Sequence, residues 1–340
     1  MNFHQMYIKN VYIILLTSCL SFKVFSQKKL FEKHSDIAFG IGTANYYGDV
    51  VPINRPIQST LRNIRWNVSV DLTRHFTPRF SGNVALTWVR IAGDDNELEG
   101  IPLQETTFMR NTHFRNDIQE LSIKGIFHII PENRNYHKRS ILSPYIFAGL
   151  AVIHHNPIAK VPLDFVGSEA IAGEWVSLQP LRTEGQGLVG YSETPYNLFA
   201  VNIPFGAGVK YKINRKFDLG FEVGLRYSFT DYLDDIGGNY ANYNDLIAVS
   251  PLAAAMGHRE YELIAANSGK NREAAIRQYL ATNVNPAYAN PALTPTSTFP
   301  EIFGKGSTRN GASRLDDIYL LTTFKLIYHI APQIKCPVIQ

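Results

Sequence analysis

One segment constrains the fold more than any other. From Phe217 to Asp231, Phe217, Leu219, Phe221, Val223, Leu225, Tyr227 and Phe229 occupy every second position. Asp218, Gly220, Glu222, Gly224, Arg226, Ser228 and Thr230 lie between them. Successive strand side chains point to opposite faces, so one face is wholly apolar and aromatic while the other is small, polar or charged. A helix would scatter the same residues around its circumference.

Seven further segments repeat the period. Asn197 to Ile213 sets Phe199, Val201, Ile203, Phe205, Ala207, Val209 and Tyr211 against Asn202, Pro204, Gly206, Gly208 and Lys210. Arg65 to His75 sets Trp66, Val68, Val70 and Leu72 against Asn67, Ser69, Asp71 and Thr73, and Phe80, Val84, Leu86 and Trp88 continue the series. Leu121, Ile123, Phe127 and Ile129 oppose Glu120, Ser122, Lys124 and His128. Ile318, Leu320, Phe324, Leu326, Tyr328 and Ile330 oppose Asp317, Thr323, Lys325 and His329. Asp36 to Tyr47 and Pro144 to His155 complete eight candidates, each about as long as a tilted membrane strand, roughly ten residues.

The connections alternate in length. Val50–Ile64, Ala92–Arg115, Asn156–Tyr196 and Tyr232–Leu315 are long. Phe76–Arg79, Pro131–Ser143 and Asn214–Lys216 are short. Short turns at one end and long loops at the other predict an all-β fold, an eight-stranded antiparallel transmembrane up-and-down β-barrel with long extracellular loops. An even strand number places both termini on the short-turn, periplasmic side. A soluble barrel would alternate too, but its polar face meets water and carries many Lys and Glu. Here that face is rich in Gly, Ala, Ser, Thr and Asn with isolated charges, as a narrow lumen requires. Trp66, Trp88, Phe217, Tyr227–Tyr232, Tyr319 and Tyr328 near strand ends suit interfacial aromatic girdles.

Composition then falls into place. The mean hydropathy of −0.12 looks soluble. Only alternate strand residues need face lipid, however, and a polar lumen with wet loops dilutes the average. Aromatics at 12% exclude a disordered chain, and two cysteines, Cys19 and Cys336, exclude a disulfide framework.

Residues 1–26 read as a signal peptide. Lys9 supplies the basic region, Val11–Leu16 and Leu20–Phe25 the apolar core, and Val24-Phe25-Ser26 a cleavage site before Gln27. Leu16-Thr17-Ser18-Cys19 offers a competing lipoprotein pattern, in which Cys19 is lipidated. Residues 27–340 form one barrel domain, with 231–315 its long extracellular loop.

No catalytic, cofactor or metal motif stands out, so no catalytic, cofactor-binding or metal residue is named and no enzyme is expected. His154 and His155 are adjacent in a strand and point to opposite faces, and the ten histidines show no ligand spacing. Gly40-Ile41-Gly42 is strand glycine rather than a dinucleotide loop. Asn67-Val68-Ser69 matches a glycosylation acceptor but lies inside a strand. Ser228 and Thr230 near a rim lack a base, which argues against a membrane hydrolase. Asp231-Tyr232-Leu233-Asp234-Asp235 with Asn239, Asn242 and Asp245 could bind a cation through oxygen ligands, though a solvated acidic loop start fits better. Glu120, Lys124, Lys210, Glu222 and Arg226 would pair within a plugged lumen, Glu222 and Arg226 each with a cross-strand partner, which excludes a porin. In the last loop, Asn244–Ala255 and Asn271–Leu280 read as short helices, the second with Glu273, Arg277 and Gln278 outward. Pro286, Pro291, Pro295 and Pro300 then read as an extended segment. An ordered cap of this size suggests contact with another protein.

Several blocks carry a family resemblance: Gly40–Asp49 (GIGTANYYGD), Phe114–Glu120 (FRNDIQE), Ser143–Ala151 (SPYIFAGLA), Pro204–Tyr211 (PFGAGVKY), and Asp316–Tyr328 with Lys335-Cys336-Pro337. Leu225–Asp235 (LRYSFTDYLDD) is the most specific. The chain resembles the PorG-like outer-membrane proteins of the type IX secretion system of Bacteroidota-type bacteria. That resemblance implies a non-enzymatic structural component in the cell outer membrane, surrounded by lipid. It would contact a periplasmic ring of PorK-like and PorN-like proteins and be neither translocation pore nor motor. Nucleic acid is not an expected partner. The short turns would face the ring, and they are basic: Arg79, Arg134, Lys138, Arg139, Arg215 and Lys216. Those charges could dock an acidic partner or meet anionic lipid. The alternative role is a surface barrel acting as an adhesin or ligand receptor through its loops.

Overall fold

In a computed structural model, described over residues 31–51, 63–98, 105–133, 135–290, 292, 302–309 and 317–330, the alternating segments form eight long strands. They are His34–Tyr47 (β1), Arg65–His75 (β2), Phe80–Asp94 (β3), His113–His128 (β4), Leu142–His154 (β5), Phe199–Lys212 (β8), Phe217–Ser228 (β9) and Ile318–Ile330 (β10). A small hairpin, Pro157–Lys160 (β6) with Trp175–Ser177 (β7), rises above them. Every long strand is antiparallel to its neighbours, in the order β3-β2-β1-β10-β9-β8-β5-β4, and β3 pairs with β4 to close the ring. Closure removes both sheet edges, the condition for β structure in hydrocarbon.

The pleat dictates the faces. Along β9 burial alternates without a slip: Asp218, Gly220, Glu222, Gly224, Arg226 and Ser228 point inward while Leu219, Phe221 and Val223 are exposed. The same apolar residues recur outside every strand, including Phe39, Ile41, Val70, Leu86, Ile123, Leu150, Val201 and Phe324. So continuous an apolar belt would be untenable in water; a bilayer core is the solvent that suits it. On β3 the belt runs from Phe80 to Trp88. Eight residue steps of about 3.4 Å, tilted by about 40°, give roughly 21 Å, close to the apolar band of an outer-membrane barrel. Aromatic pairs mark its rims: Phe80–Phe127 and Phe217–Tyr328 near the short turns, and Trp66–Trp88 and Tyr227–Phe229 near the loops, with ring centroids 5.2–5.4 Å apart. Tyr319, expected in that girdle, instead points inward and is fully buried, because it shares the inward parity of Leu321 and Thr323. Tyr232 also leaves the girdle: it stacks on Tyr196 above the barrel.

The barrel is narrow enough that glycine is required where backbones crowd. A Cβ on Gly42 would come within 1.9 Å of the Thr322 carbonyl oxygen, and one on Gly149 within 2.1 Å of the Ile123 carbonyl. The GIG fragment is therefore strand glycine at a close approach.

The tight turns Phe76–Arg79 and Ile213–Lys216 match the sequence closely, each closed by amides donating to the carbonyl of the next strand's first residue, Phe80 or Phe217. At the other end β3 and β4 run further than expected, leaving 95–112 rather than 92–115 as loop. That loop contains the helix Glu105–Arg110 (α1). The predicted helix 244–255 is two: Tyr243–Val249 (α2) and Pro251–Gly257 (α3). Pro251 cannot continue α2. Ser250 ends α2 in extended backbone and its hydroxyl accepts from Ala253 N (3.0 Å), capping α3. Glu273–Asn283 (α4) agrees with expectation, with Arg277 held by Glu273 at 2.7 Å. Pro286, read as part of an extended segment, starts a short 3₁₀ turn at Pro286–Ala289. Pro291, Pro295 and Pro300, the signal segment with Cys19, Arg134 and Cys336 lie outside the described residues.

Candidate functional site

Three layers fill the lumen. Midway, Lys325 Nζ lies 2.9 Å from Glu222 and 3.1 Å from Asp71, and Lys124 Nζ lies 3.6 Å from each of the same carboxylates. Tyr145 donates its hydroxyl to Glu222 (3.0 Å). Just above, Arg226 pairs with Glu120 (3.5 Å), which also accepts from the Tyr319 hydroxyl (2.8 Å). Glu222 and Arg226 find separate partners as the sequence suggests: Glu222 pairs with Lys325 on the neighbouring β10, while Arg226 reaches across the lumen to Glu120 on β4. The small space left among these side chains cannot hold a water molecule. Charges packed this way satisfy one another instead of guiding an ion.

The upper layer is apolar and closed from above. Ala44, Tyr46, Val89, Ile91, Phe114, Ile118, Ile153 and Leu321 line it, and Leu233 with Ile236 descend into it from the last loop. Both are fully buried. The segment Asp231–Asp235 is thus a keystone. Asp234 accepts from the Tyr46 hydroxyl (2.7 Å), Asp317 contacts the same hydroxyl, and the Leu233 amide donates to Asp317 (2.8 Å). One hydroxyl has one hydrogen for two carboxyl groups. Burial, followed by the nearby acidic groups, raises both Asp234 and Asp317, so a proton stays between them. Asp235 accepts from Thr183 (2.5 Å) and Tyr196 (2.6 Å). The reading of this run as a solvated acidic loop start is therefore corrected: Asp234 and Asp235 are fully buried. Their carboxyl oxygens are spent on tyrosine, threonine and backbone donors, which leaves no cation cage.

Arg309 ties the loops together. Its guanidinium donates to Thr183 Oγ1 (2.7 Å) and the Asp235 carbonyl (3.0 Å) and lies 3.4 Å from Glu184. Burial, partly offset by Arg309, raises the Glu184 carboxyl to about 7. Arg110 does the same across the 95–112 loop, donating to both oxygens of Asp95 (2.8 Å each) and to the carbonyls of Asp49 and Arg309. Small apolar cores complete the cap, among them Ala159, Val161, Leu178, Leu252 and Met256, and Phe108, Met109, Ile276 and Leu280. On its surface Pro162–Val166 and α2–α3 border a cleft of about 600 Å³ whose walls include Phe165, Tyr243, Ile247 and His258. Exposed Val166, Ile171, Val189 and Val249 are also displayed by the cap.

At the opposite end, Arg79, Lys138, Arg215 and Lys216 are exposed on the short turns. Arg139, expected with them, is buried in a two-pronged pair with Asp218 (2.6 and 2.9 Å), so it braces the turn rather than displaying charge. The lowest lumen layer holds His34, His75, His128 and His329 with Asp36, Ser81 and Glu132. These histidines come from four strands, so no spacing in the sequence could relate them. The other candidates dissolve. His155 is buried and His154 leans on Phe199 outside, on opposite faces as expected. Asn67 is buried in the lumen, beyond reach of glycosylation. Ser228 is buried, and among the described residues its hydroxyl has no hydrogen-bond partner.

The closed ring, the apolar belt and the filled lumen define the class: an eight-stranded β-barrel of the outer-membrane type. A family model described as a domain of unknown function (DUF6089) matches residues 188–249, the stretch holding β8, β9, the keystone and α2. No curated protein matches the chain. Among solved structures, it is similar to the N-terminal β-barrel domain of Pseudomonas aeruginosa OprF, at 8% identity and a TM-score of 0.31, covering 88% of this chain and 100% of that one. The attachment invasion locus protein Ail of Yersinia pestis, solved with the heparin analogue sucrose octasulfate, gives 8% and 0.34, covering 88% and 99%. OprG of Pseudomonas aeruginosa gives 6% and 0.31, covering 89% and 99%.

Proposed function

We propose that the chain is a non-enzymatic structural component of an outer-membrane protein-secretion complex of the type IX kind. The carrying observation is the sealed lumen. Lys325, Lys124, Glu222 and Asp71 block it midway, and Leu233 with Ile236 close it above, so such a barrel works through its ends and not through a channel. The motif with the strongest resemblance to the PorG-like family, Leu225–Asp235, contributes Leu233 to that seal. The basic short turns, with exposed Arg79, Lys138, Arg215 and Lys216, supply a surface for the periplasmic ring of PorK-like and PorN-like proteins. A chain tagged at a surface loop and extracted from the outer membrane should copurify with both ring proteins. Charge reversal at Arg215 and Lys216 should weaken that recovery. Recovery of the chain alone, from cells whose ring is assembled, would refute docking. A second reading, a surface receptor or adhesin, is favoured by the cap cleft beside Tyr243 and Ile247. Loss of surface binding with secretion intact, on deleting the cap, would select it.

A further inference from the structure

His34 and His75 face each other across the β1–β2 register at the barrel's base, with rings stacked at 4.2 Å and nearly parallel. Glu132, from the turn after β4, reaches beneath them. Its Oε2 lies 2.9 Å from His75 Nδ1 and 3.9 Å from His34 Nε2, and one ligand atom from each of the three residues lies within 4.8 Å of the others.

The hydrogen bonds behind the rings set which nitrogens face inward. His34 Nδ1 is 3.1 Å from the Glu32 carbonyl, which can only accept, so Nδ1 carries the hydrogen and Nε2 the lone pair. His75 Nε2 is 2.7 Å from Asp36 Oδ2, so Nε2 donates there and Nδ1 is turned toward Glu132. A carboxylate and a carbonyl behind two imidazoles are the outer partners that orient histidine ligands in metal sites.

We infer that His34 Nε2, His75 Nδ1 and Glu132 Oε2 bind a divalent transition-metal ion, with Zn²⁺ the best match. Tetrahedral zinc at about 2.0–2.1 Å from each donor sets ligand atoms about 3.3 Å apart, between the two nitrogen–oxygen distances observed, and because imidazole lone pairs lie in the ring planes, binding tilts the two stacked rings out of parallel. Two imidazoles and one carboxylate disfavour Mg²⁺ and Ca²⁺, which take oxygen donors. Ser81 Oγ, 2.9 Å from His75 Nδ1 and 2.8 Å from His128 Nε2, stands beside the fourth position. The same hydroxyl, or a proton on Nδ1, serves His75 when metal is absent. Lys210, 3.5 Å from Asp36, is the nearby cation whose charge Asp36 and Glu132 must offset. The ion would clip the first two strands to the β4–β5 turn, segments far apart in sequence.

The test uses the full chain purified in detergent with a histidine-free tag, stripped by chelator and dialysed against micromolar Zn²⁺. The expected result is one zinc per chain, and with Co²⁺ a visible spectrum of four-coordinate N/O ligation. His34→Ala and Glu132→Gln should each abolish retention, and Asp36→Asn should weaken it about 10- to 100-fold. Heat-modifiable gel migration reports that each barrel is folded. If His34→Ala does not fold, Glu132→Gln, in a turn outside the strands, decides alone. Substoichiometric zinc in the wild type, or full retention by folded Glu132→Gln, overturns the site.

Discussion

Replacing Arg309 with methionine should open the cap without opening the barrel. The guanidinium is buried and serves Thr183, Glu184 and the Asp235 carbonyl, so removing it leaves two buried carboxyl groups facing a neutral side chain. Breaking a buried pair from one side typically costs about 3–5 kcal/mol. At 1.4 kcal/mol per tenfold, that raises the cap-opening constant roughly 100- to 4,000-fold. The cost should shrink in acid. Glu184 already titrates near 7, and Asp235 is also raised by burial, against the pull of Arg309. Without the arginine both take up protons more readily, and a neutral acid needs no counter-charge. The assay is proteinase K cleavage of the cap in detergent micelles, or exchange of the Leu233 amide, at pH 5.5 and 8.5, with gel migration reporting the barrel. Equal opening in variant and wild type, or a penalty unchanged between the two pH values, would refute the cap energetics.

The wild-type cap has its own pH dependence. Glu184 ionises near 4.5 in an open chain and near 7 in the closed cap, so the closed state holds a proton that the open state releases. No penalty exists below about 4.5; it grows between about 4.5 and 7 and levels off above, so amide protection in 231–236, corrected for the intrinsic pH dependence of exchange, should fall over that window. Lys325→Met should destabilise the barrel by about 3–5 kcal/mol in urea–detergent titration, since Lys124 is then the one lysine still paired with Glu222 and Asp71 among the described residues. Wild type in planar bilayers should show no steady ion conductance. Val84→Arg, at the centre of the belt, should cost about 2–4 kcal/mol of folding into vesicles, as expected for a lipid-facing charge at the midplane.

The strands were legible because each rests on a local signal. Period-two alternation fixed Arg65–His75 to the residue and Ile318–Ile330 to its apolar and polar faces. Even the separate lumenal partners of Glu222 and Arg226 follow from parity and a narrow bore. What escaped depends on contacts far apart in sequence. Asp234 and Asp235 read as a wet acidic run because nothing nearby shows that Tyr46, Tyr196 and Thr183 will meet them. Tyr319 read as a girdle aromatic by position, although its parity assigned it to the lumen. Arg139 read as a displayed charge, and only the turn geometry brings it onto Asp218. The histidines at the base lie on separate strands, and closure of the ring is what gathers them.

The proposal that this sealed outer-membrane barrel serves a secretion complex is tested most directly by deleting its gene in the native host and measuring secreted proteins in the medium and in the periplasm. Membership of the complex predicts that cargo leaves the medium and accumulates in the periplasm, with rescue by the wild-type gene. Normal secretion in the deletion strain would contradict it.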